Sequence, residues 1–92
     1  MNETTARDLS VRGRVQGVGF RAGARREARR LGVSGWARNE ADGTVTVRAQ
    51  GAPEAVAALE RWCRRGPAAG EVGGVDASDV AVDASLTGFT TA

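Results

Sequence analysis

Histidine, lysine and tyrosine are absent from the 92-residue chain, cysteine occurs once and proline twice. Without histidine no side chain has an ordinary pKa near neutrality. Acid–base or nucleophilic chemistry would therefore have to come from Asp, Glu, Ser, Thr or the lone Cys63. Cys63 has no histidine to activate it and no second cysteine to pair with, so it reads as an ordinary helix residue of a protein kept in a reducing compartment. The acidic residues are scattered singly, without the spacing of a metal-ligand set, and neither a metal nor a cofactor is expected. Two Trp and two Phe are all the aromatics, too few for the stacking platform of a nucleic-acid-binding sheet. No apolar run approaches the ~18 residues of a membrane helix. The start, Met1-Asn2-Glu3-Thr4-Thr5, is polar and has no apolar signal-peptide region. A soluble, cytoplasmic protein is expected, with no nucleic acid and no membrane among its partners, and nothing argues against a monomer.

What the chain does have is arginine. Its 13 Arg stand against 11 Asp plus Glu, for a formal charge of +2. All 13 Arg and 7 of the acids lie in residues 1–66, while 67–92 carry 4 acids and no Arg. The length suits one small domain over 1–92, with 1–6 expected as a frayed end.

The most informative stretch is Val11-Arg12-Gly13-Arg14-Val15-Gln16-Gly17-Val18-Gly19-Phe20-Arg21. Leu9, Val11, Gly13 and Val15 alternate with Ser10, Arg12 and Arg14, the period of a half-buried strand, predicted over Asp8 to Val15. Phe20, Ala24, Ala28 and Leu31 then fall at helical spacing, predicting a helix over about 20–31 that ends at Gly32. Between them Gly17 and Gly19 permit φ > 0 and close approach of a ligand to the main chain. A strand, a glycine turn and a helix N-terminus leave unpaired N–H groups that favour an anion. Arg21 adds a planar guanidinium able to grip two oxygens at once. The spacing fits neither a dinucleotide fingerprint nor a P-loop. Arg25, Arg26, Arg29 and Arg30 face away from the apolar stripe and read as a solvated face, with no aromatic interleaved for nucleic acid.

Ser34 to Asn39 reads as a second strand, with Trp36 as one of its packing residues. Glu40-Ala41-Asp42-Gly43 turns it into a third strand whose Val45, Val47 and Ala49 face inward. Pro53 and Glu54 open a second helix with Val56, Leu59, Trp62 and Cys63 on its buried stripe, ended by Gly66-Pro67. Pro67 to Gly74 reads as a connection and Val75 to Val82 as a fourth strand, with Val80 and Val82 inward. A short last strand around Gly88 to Thr91 has little pattern behind it. The order β-α-β-β-α-β predicts an α+β, ferredoxin-like split βαβ sandwich, two helices on one face of an antiparallel sheet.

Taken together, G-R-V-Q-G-V-G-F-R, A-R-R-L-G-V-S-G-W-A-R-N, D-G-T-V and Gln50-Gly51 closely resemble the acylphosphatase family, over roughly Val11 to Gly51 and more loosely to Phe89. The resemblance implies the same ferredoxin-like fold and a small hydrolase that cleaves the carboxyl–phosphate bond of acyl phosphates without a metal. Inorganic phosphate would be its product or inhibitor. It implies that Arg21 binds the phosphoryl oxygens, helped by main-chain N–H groups of a phosphate-binding loop of Val15, Gln16, Gly17, Val18, Gly19 and Phe20. Asn39 would orient the attacking water. Gln16 would fix the loop rather than react. Against the family's pattern, Gly23 stands where it should weaken the helix by ~1 kcal/mol relative to Ala, Ala37 replaces a usual valine, and the ending Gly88 to Ala92 lacks the common basic or aromatic residues. The competing expectation is a module that binds a phosphate-bearing ligand without turnover.

Overall fold

Seven elements follow one another in the computed structural model, which describes residues 3–92: β1 (Thr5–Arg14), α1 (Phe20–Leu31), β2 (Ser34–Asn39), β3 (Val45–Gly51), α2 (Pro53–Arg65), β4 (Glu71–Asp79) and β5 (Phe89–Thr91). The strands form one sheet in the order β4-β1-β3-β2-β5. β1 pairs antiparallel with β3 and β4, and β2 antiparallel with β3. β5 lies parallel to β2, so the sheet is mixed rather than wholly antiparallel.

Alternation decides which face is covered. Leu9, Val11, Ala37, Val45, Val47, Ala49 and Val75 are all buried on the face that carries the helices. α1 presents Phe20, Ala24 and Ala28 to it, and α2 presents Val56, Leu59, Trp62 and Cys63. Each helix uses the period expected of an apolar stripe against a sheet. The helices meet through Phe20 and Trp62, whose ring centroids lie 5.2 Å apart at 55°. Gly23 sits under that indole: a Cβ there would come within 2.6 Å of Trp62 Cζ2. The glycine expected to weaken α1 is what allows α2 to approach.

On the uncovered face, Asp8 and Arg48 form a two-pronged pair at 2.7 and 2.8 Å. Trp36 lies on this face rather than in the core, with the Arg38 and Arg48 guanidinium carbons 4.6 and 5.2 Å from its ring centroid. The segment after β4 crosses to β5 along this face. There Gln50 Nε2 donates to the Asp83 carbonyl at 2.9 Å, and the Asp83 N–H donates to Gln50 Oε1 at 2.8 Å.

Two strands differ from expectation in their bounds. β1 starts at Thr5, inside the stretch 1–6 predicted to fray, because Thr5 and Ala6 pair with Gly51 and Gln50; Met1 and Asn2 lie outside the described residues. β4 runs from Glu71 to Asp79 instead of Val75 to Val82, with Val75 buried and Val82 49% exposed. The register explains the shift: Gly74 lies opposite Arg12, and Val72 opposite Gly13 after a bulge between Arg12 and Gly13. At that bulge Gly13 has φ 119° and no room for a side chain, since a Cβ would fall 2.3 Å from the Glu71 carbonyl oxygen. The short last strand expected around Gly88 to Thr91 is present as β5, anchored by Phe89, which is 1% exposed and lies against Gly35.

Candidate active site

The turn from β1 into α1 gives the helix an unusual start. Its N-cap is Gly19, in the left-handed region at φ 83°, with no side-chain hydrogen bond to the first turn and no acidic residue in that turn. The first intrahelical bond runs from the Gly23 N–H to the Gly19 carbonyl at 3.0 Å. The N–H groups ahead of it have no helical acceptor, and the positive end of the helix dipole is left uncompensated. Gly17, at φ 73°, makes the preceding bend. Ordinary side chains avoid that conformation, which is why glycine recurs at both positions.

A cavity of about 130 Å³ opens at this helix start, lined by Val15, Gly17, Gly19, Phe20, Arg21, Ala22 and Asn39. Asn39 reaches it from the last position of β2, on the same strand face as buried Gly35 and Ala37. Its side-chain oxygen Oδ1 is buried and has no hydrogen-bond partner. Leaving a buried acceptor unpaired costs about 1–3 kcal/mol, a cost that a bound donor would remove. Arg21 is half-buried on the first turn of α1 and donates from Nη1 to the main-chain oxygen of Ala92 at 2.5 Å. No Asp or Glu among the described residues forms an ion pair with it.

The carboxylates nearest in sequence are engaged elsewhere. In the β2–β3 hairpin, the Thr44 N–H and hydroxyl donate to Asp42 Oδ1 at 3.0 and 2.7 Å. These bonds hold the Asp42 carboxyl below its ordinary pKa. Glu40 is lowered likewise, by a hydrogen bond from Thr46 and then by Arg38. Cys63 is far from such chemistry: burial in the core, with Glu60 adding repulsion, pushes its thiol up to about 12. No group of three or more His, Cys, Asp or Glu with metal-binding geometry occurs among the described residues.

Of the residues singled out in the sequence, Val15, Gly17, Gly19, Phe20, Arg21 and Asn39 come together around one cavity. Gln16 and Val18 do not line it. Val18 packs against the core, and the Gln16 side chain is turned to the β2–β3 hairpin, where Nε2 donates to the carbonyls of Glu40 and Thr44 at 2.8 and 3.0 Å. Ala22 also lines the cavity, and the sequence signals it only by its place on the first helical turn beside Arg21.

Chemically, this open pocket brings together an uncapped helix start, a fork-shaped cation and an unpaired acceptor. Such a set suits a multi-oxygen anion held next to a hydrogen-bond donor such as water. Comparison with known proteins gives the family. The acylphosphatase family model matches residues 7–91. An acylphosphatase from Nocardioides sp. is 54% identical over 85 residues, covering 92% of this chain and 85% of that protein. One from Anaeromyxobacter sp. is 50% identical over 90 residues, covering 98% and 97%. Among solved structures, an acylphosphatase from Coxiella burnetii superposes with a TM-score of 0.92 at 31% identity, covering 99% of this chain and 94% of that one. By fold, by length and by residues shared along nearly its whole course, the chain belongs to the acylphosphatase family, hydrolases acting on acyl phosphates.

Proposed function

We propose that the chain hydrolyses the carboxyl–phosphate bond of acyl phosphates by holding the reactants in place, with Arg21 and the N–H groups at the start of α1 on the phosphoryl oxygens and Asn39 on the attacking water. The observation that carries this reading is the buried, unpartnered Oδ1 of Asn39 in the same cavity as the uncapped helix start and Arg21. Oδ1 accepts one hydrogen of the water and turns its lone pair toward phosphorus. As the P–O bond to the acyl group breaks, the electron pair leaves on the carboxylate. Both water protons end on phosphate, so that a dianionic acyl phosphate and water give a carboxylate and dihydrogen phosphate. No side chain has to accept or supply a proton, because a carboxylate is a weak base and leaves unprotonated. That balance fits a site with no histidine or lysine. The rate gain then comes from orientation and from fixed donors on the equatorial oxygens.

The test is hydrolysis of benzoyl phosphate by the wild-type protein, Asn39→Ala and Arg21→Ala, with chelator present and with inorganic phosphate as inhibitor. Asn39→Ala is expected to lower kcat by about 10²–10³-fold while phosphate inhibits as before. Arg21→Ala should lose turnover and phosphate inhibition together. Equal loss of phosphate inhibition in both variants would refute this division of roles. Phosphate binding by a wild-type protein that turns nothing over would instead leave a binding module.

A further inference from the structure

The Gln16 side chain is the one group of the anion loop that points away from the cavity and still reaches the residue beside Asn39. Its Nε2 donates twice, at 2.8 Å to the Glu40 carbonyl and at 3.0 Å to the Thr44 carbonyl. Those two carbonyls already close the hairpin turn: Thr44 O accepts from the Glu40 N–H at 2.8 Å, and Glu40 O accepts from the Gly43 N–H at 3.2 Å. A single amide group is thus inserted across the mouth of the turn. It uses the second lone pair of each carbonyl and both of its own hydrogens. Glu40 follows Asn39 directly, and Gln16 stands between Val15 and Gly17, which line the cavity.

We infer that Gln16 is a positioning residue, which sets the distance between the phosphate-holding loop and the Asn39 amide by bolting the loop to the turn that follows β2. The inference rests on the roles proposed above for the loop, Arg21 and Asn39. Two walls of the cavity belong to different segments: the loop and α1 on one side, the end of β2 on the other. The loop's own bend is set by Gly17 and Gly19, and Arg21 by the first turn of α1. Neither fixes where Asn39 stands. In-line attack tolerates little error in that placement, and displacement by about 1 Å can cost about 10²-fold. Without the tie, the loop should still bind phosphate while the water is held off line.

Two replacements test this. Gln16→Met keeps length and removes both donors; Gln16→Glu keeps shape and sets an acceptor against two carbonyls. Gln50→Met, which removes a comparable side-chain-to-backbone pair on the opposite face, serves as control. Each Gln16 variant should lower kcat for benzoyl phosphate by about 10–10²-fold with inhibition by inorganic phosphate unchanged, and Gln50→Met should leave kcat as it is. Placed in the Asn39→Ala background, Gln16→Met should cost nothing further, since it acts through Asn39. A multiplicative loss in the double variant, weakened phosphate inhibition, or full activity in either folded Gln16 variant would overturn the inference while leaving the proposed roles of Arg21 and Asn39 intact. Full activity in Asn39→Ala alone would remove those roles instead, and the inference with them. Should one Gln16 variant fail to fold, the other carries the same comparison.

Discussion

Arg21 and Asn39 owe their proposed roles to different physical properties, so conservative changes at the two should separate. A guanidinium offers parallel donors in a rigid fork, whereas an ammonium is a point charge on a flexible stem. Arg21→Lys should therefore recover little of what Arg21→Ala loses, with kcat/KM for benzoyl phosphate still about 10²-fold below wild type. Near-complete rescue would mean that charge alone is needed there. Cys63 gives the opposite prediction. Its thiol is enclosed in the core and pushed up to about 12, so a thiol reagent at mildly alkaline pH should label it only in denaturant. Cys63→Ser should leave kcat unchanged while burying a hydroxyl at a cost of about 1–3 kcal/mol in stability. Loss of activity in a folded Cys63→Ser protein would contradict a mechanism without a covalent intermediate.

The helices and the central strands were legible from the sequence because their patterns are long and conventional. α1 has the bounds that Phe20, Ala24 and Ala28 imply, β2 runs from Ser34 to Asn39 as read, and Pro53 opens α2. β4 runs earlier than its pattern suggests because Gly73 and Gly74 carry no side chain and so leave no alternation, whereas Val80 and Val82 imitate one. Val82 is exposed on the crossing to β5. The residues lining the site were legible as members of a motif; where each side chain points was not. Gln16 turns outward to the hairpin through contacts 24 and 28 residues away, which no local pattern encodes. Gly23 makes the same point in the packing of α1 on α2. Propensity alone favours Gly23→Ala by ~1 kcal/mol, but the indole of Trp62 occupies the space. The substitution should instead destabilise by about 1–3 kcal/mol, and denaturant unfolding will give the sign. Phe89→Ala should cost about 3–5 kcal/mol, because that ring seats the short β5 on the core.

For the molecule as a whole, titration should leave a broad plateau. Glu27, Glu40, Asp42 and Asp83 all have pKa values held below the ordinary range, chiefly by hydrogen bonds from Arg30, Thr46, Thr44 and Ser85 respectively. A carboxyl lowered in the folded state contributes stability above its unfolded pKa and loses it as pH falls through the folded one. Tm should therefore decline below about pH 4. With no histidine to titrate, it should stay level from about pH 5 to 8. A step in Tm between about pH 6 and 7 would show that a group outside this set controls stability. The decline should be gentle, since Asp42 and Asp83 are solvent-exposed, Glu27 and Glu40 are only half-buried, and such bonds near the surface are worth little individually.

The strand order has a consequence for how the chain reaches this state. β1 is the second strand of the sheet, yet one of its two neighbours is β4, and the Arg7–Asp79 ion pair across them joins residues 72 apart. Pairings so distant in sequence make for slow folding, because a long loop closes before it gains anything. During vectorial synthesis, β1, α1, β2 and β3 all emerge by Gly51, and with them every residue around the cavity. α2 and β4 follow, and only then does β1 gain its second neighbour. The nascent chain thus carries the parts of its site well before it carries the two edge strands, β4 and β5, that complete the sheet around them.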